Sequence, residues 1–343
     1  MSTAVTRAED VDLALCAHDR ARGLLYRSLS NPRVIRDASG RDVATLRGDA
    51  TALASATLRG DALGYVGETR VDADAVTYVS RGGFASTSTR AFALDARGRP
   101  TRRWMLPRLA PVRAADGRAR EDGSVTLIAV GGAAIACTSG SVMRDAPVDA
   151  RSSAVSAFRR AASTALSVAR AVVDASADVG EDAIAYEGED MDEVSKLKRE
   201  RVEWHCAFVD APRRYSAFEY ERSLDVFCAL DSTHHRALLF RVIGRSSIRL
   251  MCVIKGCRGA SFAFDAKRRA LVLHRPSVRV VESRPLRDAS SVDVSVDARD
   301  VCRVVSSDDG APRLVFREPN GDRVRVATLD EATRRDDRAW WSS

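Results

Sequence analysis

Four Asp-led pentapeptides constrain this chain more than any other feature. They are Asp37-Ala38-Ser39-Gly40-Arg41, Asp95-Ala96-Arg97-Gly98-Arg99, Asp210-Ala211-Pro212-Arg213-Arg214 and Asp265-Ala266-Lys267-Arg268-Arg269. An Asp carboxylate accepts a hydrogen bond from a backbone N–H about two residues on, and Gly tolerates the positive φ that a tight reversal needs. Apolar residues spaced by two flank the turns: Phe92 and Leu94 before the second, Phe262 and Phe264 before the fourth, Leu271 and Leu273 after it. That alternation predicts strands with one buried face. The copies lie 58 residues apart in the first pair and 55 in the second, and the pairs are offset by 173 and 170. Half of 343 residues is about 171, so the spacing predicts a tandem duplication.

The expected fold class is therefore α+β and β-rich, with two tandem, duplicated antiparallel-sheet domains and a few helices before and between them. An N-terminal β-rich domain spans 1–145. It is led by a helix over 7–29, where Thr6 and Glu9 form a capping box and Val11, Ala14, Leu15, His18, Ala21 and Leu25 follow helical spacing. A hairpin over 122–143 closes this half, with its counterpart at 289–307. A helical connector and acidic linker fill 146–200: a helix over 151–174, eight acids and no bases in 175–194, and a short helix over 191–201. A C-terminal β-rich domain over 201–330 and a charged tail over 331–343 ending in Trp340 and Trp341 complete the chain.

Apolar residues make up 45% and charged residues 29%, as in a soluble globular protein, and no apolar run approaches the length of a membrane span. The N-terminal residues lack the basic-then-apolar order of a signal peptide, and seven cysteines, an odd number, fit reduced thiols. These features predict a soluble intracellular protein with no membrane partner, in nucleus, cytoplasm or virion alike. The two Arg-Gly-Asp triplets read as turns.

Charge is uneven. Residues 97–120 hold Arg97, Arg99, Arg102, Arg103, Arg108 and three more arginines against one acid, Asp116. Residues 255–287 hold Lys255, Arg258, Lys267, Arg268, Arg269, Arg275 and three more bases against Asp265 and Glu282. In a duplicated molecule these blocks would occupy equivalent places and form a stripe for phosphates. The leading expectation is thus a non-enzymatic nucleic-acid-binding protein, with another polyanion or other protein subunits as further partners, and segment 175–194 as an internal competitor. The outline is similar to that of two-domain sliding clamps, by architecture alone. A structural or assembly protein of a GC-rich DNA virus is the alternative, since lysine and asparagine are scarce beside arginine.

A second alternative is an enzyme built on the Cys/His-rich stretch from His205 to His274. Cys252 and Cys257 have a spacing that zinc tolerates, and His234 and His235 sit nearby in sequence. No second tight pair accompanies them, and a buried thiol and a polar loop explain these residues as well. No cofactor, metal or catalytic residue is expected. Asp293, Ser295 and Asp297 read as an exposed strand face, and the common nucleophile, phosphate-loop, dinucleotide and zinc-protease motifs do not occur.

Overall fold

Apolar runs too short for helices dominate the chain, and in the computed structural model they become strands. The structure describes residues 6–45, 78–80, 83–87, 89–95, 100–106, 112–119, 124–131, 134–140, 199–200, 204–209, 215–243, 247–307, 309–317 and 323–333.

Strand β1 (Thr6–Arg7) precedes a first sheet of β2 (Val11–Asp19), β3 (Gly23–Ser28), β4 (Val34–Arg36) and β5 (Asp42–Thr45). The second sheet holds β6 (Tyr78–Ser80), β7 (Phe84–Ser86), β8 (Arg90–Leu94) and β9 (Pro100–Met105). The third is built from β10 (Val112–Ala119), β11 (Val125–Gly131) and β12 (Ala134–Gly140). Strand β13 (Arg199–Glu200) adds to β9 in parallel, and β14 (Trp204–Val209) completes the third sheet. The fourth contains β15 (Tyr215–Glu221), β16 (Val226–Asp231), β17 (Arg236–Ile243) and β18 (Ser247–Lys255). The fifth contains β19 (Ser261–Asp265), β20 (Ala270–Arg275), β21 (Val280–Pro285) and β22 (Val294–Asp297). The sixth joins β23 (Val301–Val305), β24 (Arg313–Arg317) and β25 (Arg323–Thr328) to β1, with Thr6 opposite Val324. A short helix α1 (Leu329–Thr333) follows.

Each sheet packs on the next through an apolar layer. Leu25 and Ile35 of the first share a cluster with Ala85 of the second, Ile128 and Val130 of the third, and Phe218, Phe227 and Phe240 of the fourth. Phe84 and Trp104 meet Val125 and Leu127 between the second and third. Cys228 and Leu239 meet Phe264 and Leu273 between the fourth and fifth. Val272 and Val281 meet Val304, Leu314 and Phe316 between the fifth and sixth. Val305, Val315 and Val324 then return to Cys16, Leu24 and Tyr26 of the first. The layers close a circle, with the leading strands β2, β10, β15, β19 and β23 meeting one another around its axis. Six sheets among the described residues, five of four antiparallel strands and one of five with β13 added in parallel, are arranged radially as the blades of a β-propeller.

This architecture explains the burial along each blade. Every residue of β11 and of β16 is buried, because a second strand is covered by neighbouring blades on both faces. The outermost strand β22 alternates between half-buried and exposed, as an edge strand does.

The α+β fold with two tandem, duplicated domains is overturned. The Asp37 turn joins the third and fourth strands of its blade and the Asp265 turn joins the first and second of its own, while Asp210 follows the last strand of one blade and precedes the first of the next. Residues at inequivalent reversals are not copies of one unit. They share turn chemistry: the Asp37 carboxylate accepts from the Ser39 and Arg41 N–H groups at 2.9 and 3.1 Å, and Asp265 accepts from the Arg268 N–H at 3.0 Å.

The helix expected over 7–29 is instead β1, a 3-10 turn (Ala8–Asp10), β2 and β3. A register shift between Asp12 and Cys16 breaks the alternation of β2, so apolar positions fall at helical spacing by accident. The 122–143 hairpin forms as expected, but its counterpart does not: within 289–307, β22 and β23 belong to different blades. In place of the end of the 191–201 helix, Arg199 and Glu200 form a strand. The helix over 151–174, the acidic segment 175–194 and the terminal tryptophans lie outside the described residues. No helix among the described residues is long and apolar enough to cross a membrane.

Candidate functional site

Among the places where the described residues gather polar side chains, two join different blades near the ends of their strands. The first is the axis, where the leading strands end. His18, in the penultimate position of β2, pairs in parallel with Ser307 just beyond β23. Its Nδ1 lies 3.0 Å from Ser307 Oγ, and its N–H donates to the Ser306 carbonyl at 3.0 Å. Ser306 Oγ donates to Glu219 Oε2 of β15 at 2.8 Å. All four residues are buried. Three blades are thereby laced together through one polar knot. A Ser–His contact invites a nucleophile–base reading. Ser307 is only 1% exposed, however, and Glu219 bonds the neighbouring serine rather than the imidazole.

Beside this knot, Arg222 reaches from the fourth blade to the third. Its guanidinium pairs with buried Asp116, donates to the Gly117 carbonyl, and lies over the Phe84 ring of the second blade at 5.3 Å. Arg118 pairs with Asp225 at 3.6 Å, and the Tyr220 hydroxyl donates to Asp225 at 2.9 Å. Burial and the Asp225 carboxylate push the Tyr220 hydroxyl well above the ordinary tyrosine range.

The second place is a cluster of three turns in the fourth and fifth blades: 232–235 between β16 and β17, 256–260 between β18 and β19, and 276–279 between β20 and β21. The Cys257 N–H donates to the His235 carbonyl at 2.7 Å, and Ser277 Oγ donates to the Gly256 carbonyl at 2.8 Å. Gly256 has φ +73°, and a Cβ there would stand 3.0 Å from an Arg275 nitrogen, so this approach requires glycine. His235 and Arg279 also adopt the left-handed conformation, at φ 51° and 56°.

The expected site residues divide accordingly. Arg97, Arg99 and Arg108 lie outside the described residues. Arg102 sits 4.9 Å from the Trp104 ring centroid, beside Arg103 on β9. In the second block, Lys267, Arg268 and Arg269 occupy the turn at one end of β20, whereas Lys255, Arg258 and Arg275 cluster at its other end. Arg268 pairs with Asp330, and Arg275 and Arg284 both pair with Glu282 at 2.7 Å. The blocks therefore occupy different blades, one block is split between two faces, and part of its charge is spent internally. The nucleic-acid stripe is overturned on these grounds. With it go the clamp-like outline and the viral assembly role, which rested on duplicated halves.

The described candidates of the second alternative, the enzyme site in the Cys/His-rich half, are each engaged or placed locally. Cys257 is buried with its Sγ on the Ile254 carbonyl at 3.3 Å, and Cys252 Sγ faces the Ala289 carbonyl at 3.6 Å. His234 Nδ1 bonds Asp231 at 2.9 Å, while His235 is exposed at the turn. Among the described residues no group of three or more His, Cys, Asp or Glu converges as metal ligands. The axial knot gave no local sequence signal: His18 and Ser307 stand 289 residues apart.

No protein-family model matches the sequence, and no curated protein matches it. Among solved structures, the chain is similar to the β-propeller domain of Myceliophteria thermophila Cps50 (Swd1), at 8% identity over 92% of this chain and 83% of that one, with a TM-score of 0.43. It is also similar to Kuenenia stuttgartiensis hydrazine synthase, at 10% identity over 92% and 83%, with a TM-score of 0.43. A third is the Pseudomonas aeruginosa periplasmic gluconolactonase PpgL, at 9% over 70% and 64%, with a TM-score of 0.35. Likenesses this low carry no ligand or activity to the present chain.

Proposed function

We propose that the chain is a non-catalytic docking scaffold that presents rigid turns on its faces to protein partners. The observation that supports this reading is the buried polar knot at the axis. His18, Ser307, Ser306 and Glu219 are hydrogen-bonded to one another and buried, so these groups hold three blades in register rather than face a substrate. The turns at the ends of the blades are where such a ring meets other molecules, because loops on a fixed scaffold carry recognition.

The test compares wild type with Ser307→Ala on chromogenic ester, lactone and phosphoester substrates. The expected result is a background rate unchanged within about twofold and a lower unfolding midpoint for the variant. Wild-type turnover that falls by about tenfold or more in a folded Ser307→Ala protein overturns the reading.

A further inference from the structure

The three-turn cluster of the fourth and fifth blades exposes three cations, Lys255, Arg258 and Arg279. Among the described residues no carboxylate forms an ion pair with any of them. The acids close by in the fold are already engaged, Asp231 by His234 and Arg236, Glu282 by Arg275 and Arg284, and Asp297, which stands opposite Val280, by Arg299 at 3.1 Å. In the same cluster Val278 is 49% exposed, two residues after Pro276 in a 3-10 turn. This apolar side chain is displayed rather than tucked away. Besides the ties between turns, the Arg279 N–H donates to the Pro276 carbonyl at 3.2 Å, and the Arg279 carbonyl accepts from the Ala298 N–H at 2.9 Å. Backbones held this way lose little further freedom on binding.

We propose that this cluster docks an acidic peptide segment of a protein partner. The segment's carboxylates meet Lys255, Arg258 and Arg279, and an apolar side chain between them sits against Val278 and Pro276. A duplex backbone calls for a continuing row of cations, and among the described residues the exposed Arg299 beyond Arg279 is already engaged by Asp297 at 3.1 Å. Lys267 and Arg269 stand at the far end of β20, about 20 Å away at the ordinary rise of a strand. Three charges around an apolar patch match a short mixed peptide instead. This inference rests on the docking-scaffold reading. Turnover lost in Ser307→Ala would end both, whereas the experiment below can fail while that reading stands.

The probe is a fluorescein-labelled peptide of about twelve residues alternating Glu and Leu, titrated with the full chain and read by anisotropy. Saturable binding is expected, weaker at about 300 mM than at about 50 mM NaCl. The Lys255→Glu/Arg258→Glu/Arg279→Glu variant is expected to bind about tenfold more weakly or worse, and Val278→Asp about threefold more weakly. Lys267→Glu/Arg269→Glu, reversed at the other end of β20, should match wild type within about twofold. All these residues are exposed, and unchanged unfolding midpoints would confirm intact folds. The proposal is overturned by no saturable binding, by equal binding of the triple variant, or by equal binding of a peptide with Ser in place of Leu. It is also overturned if duplex DNA binds as tightly and loses affinity in the same triple variant.

Discussion

His18 Nδ1 stands 3.0 Å from Ser307 Oγ, so residues from the first and sixth blades meet in a buried hydrogen bond at the axis. Removing the hydroxyl deprives a desolvated ring nitrogen of this partner, which costs more than the bond itself is worth. Ser307→Ala should lower stability by about 1–3 kcal/mol, seen as a lower urea midpoint with an unchanged m-value. Ser307→Thr, which keeps the oxygen, should recover part of the loss.

Arg222 is the second cross-blade fastening. Arg222→Met strips the counter-charge from buried Asp116 and the cation from the Phe84 face, for a loss of about 3 kcal/mol. Adding Asp116→Asn removes the buried charge that lost its Arg222 partner. The double variant should therefore be more stable than Arg222→Met alone in urea titrations.

His274 makes stability depend on pH. It is 1% exposed, and neither ring nitrogen has a hydrogen-bond partner among the described residues. Opposite it on the flanking strands are Ser261 and Val281, which carry no charge, and Arg303 is the charged group acting on it. Burial first, and then Arg303, lower its pKa from 6.5 to about 4. Between those values the unfolded chain binds a proton that the folded chain refuses. Stability is therefore intact above about pH 6.5 and falls as pH drops towards 4, by up to about 3 kcal/mol. His274→Leu should flatten that part of the profile, measured by urea unfolding at a series of pH values.

The thiols should react in order of burial. Burial pushes Cys16 up to about 11 and Cys228 well above its ordinary value, while Cys252 and Cys302 are raised but partly accessible. Timed iodoacetamide labelling at about pH 8, mapped by mass spectrometry, should mark Cys252 and Cys302 before Cys16 and Cys228.

What could be seen in the sequence was local. Asp37, Asp231 and Asp265 each cap a reversal, and the turns after Asp231 and Asp265 both end on a left-handed residue, His235 and Arg269. Yet the first of these two turns joins the second and third strands of a blade and the other the first and second. The chemistry of a hairpin turn is the same at every reversal, so it cannot say which reversal it makes. Leading strands begin at Tyr215, Ser261 and Val301, giving spacings of 261 − 215 = 46 and 301 − 261 = 40 residues. That unequal spacing hid the true repeat behind an apparent halving. The axial knot was invisible for another reason: its members come from three strands far apart along the chain, and only ring closure brings them together. Clusters of arginine were plain to see, but which were neutralised depended on Glu282 and Asp330, whose positions only the fold determines.

Strand β1 completes the sixth blade by lying against β25, with Thr6 opposite Val324. The molecule is in effect a belt whose buckle is the pairing of β1 with β25. These strands are far apart along the chain, so during synthesis β1 stays unmated until β25 has emerged, and this fastening is a late and slow event. The same seam is where opening under tension or heat should begin, and a short β1 peptide supplied in trans should compete for the vacated edge of β25.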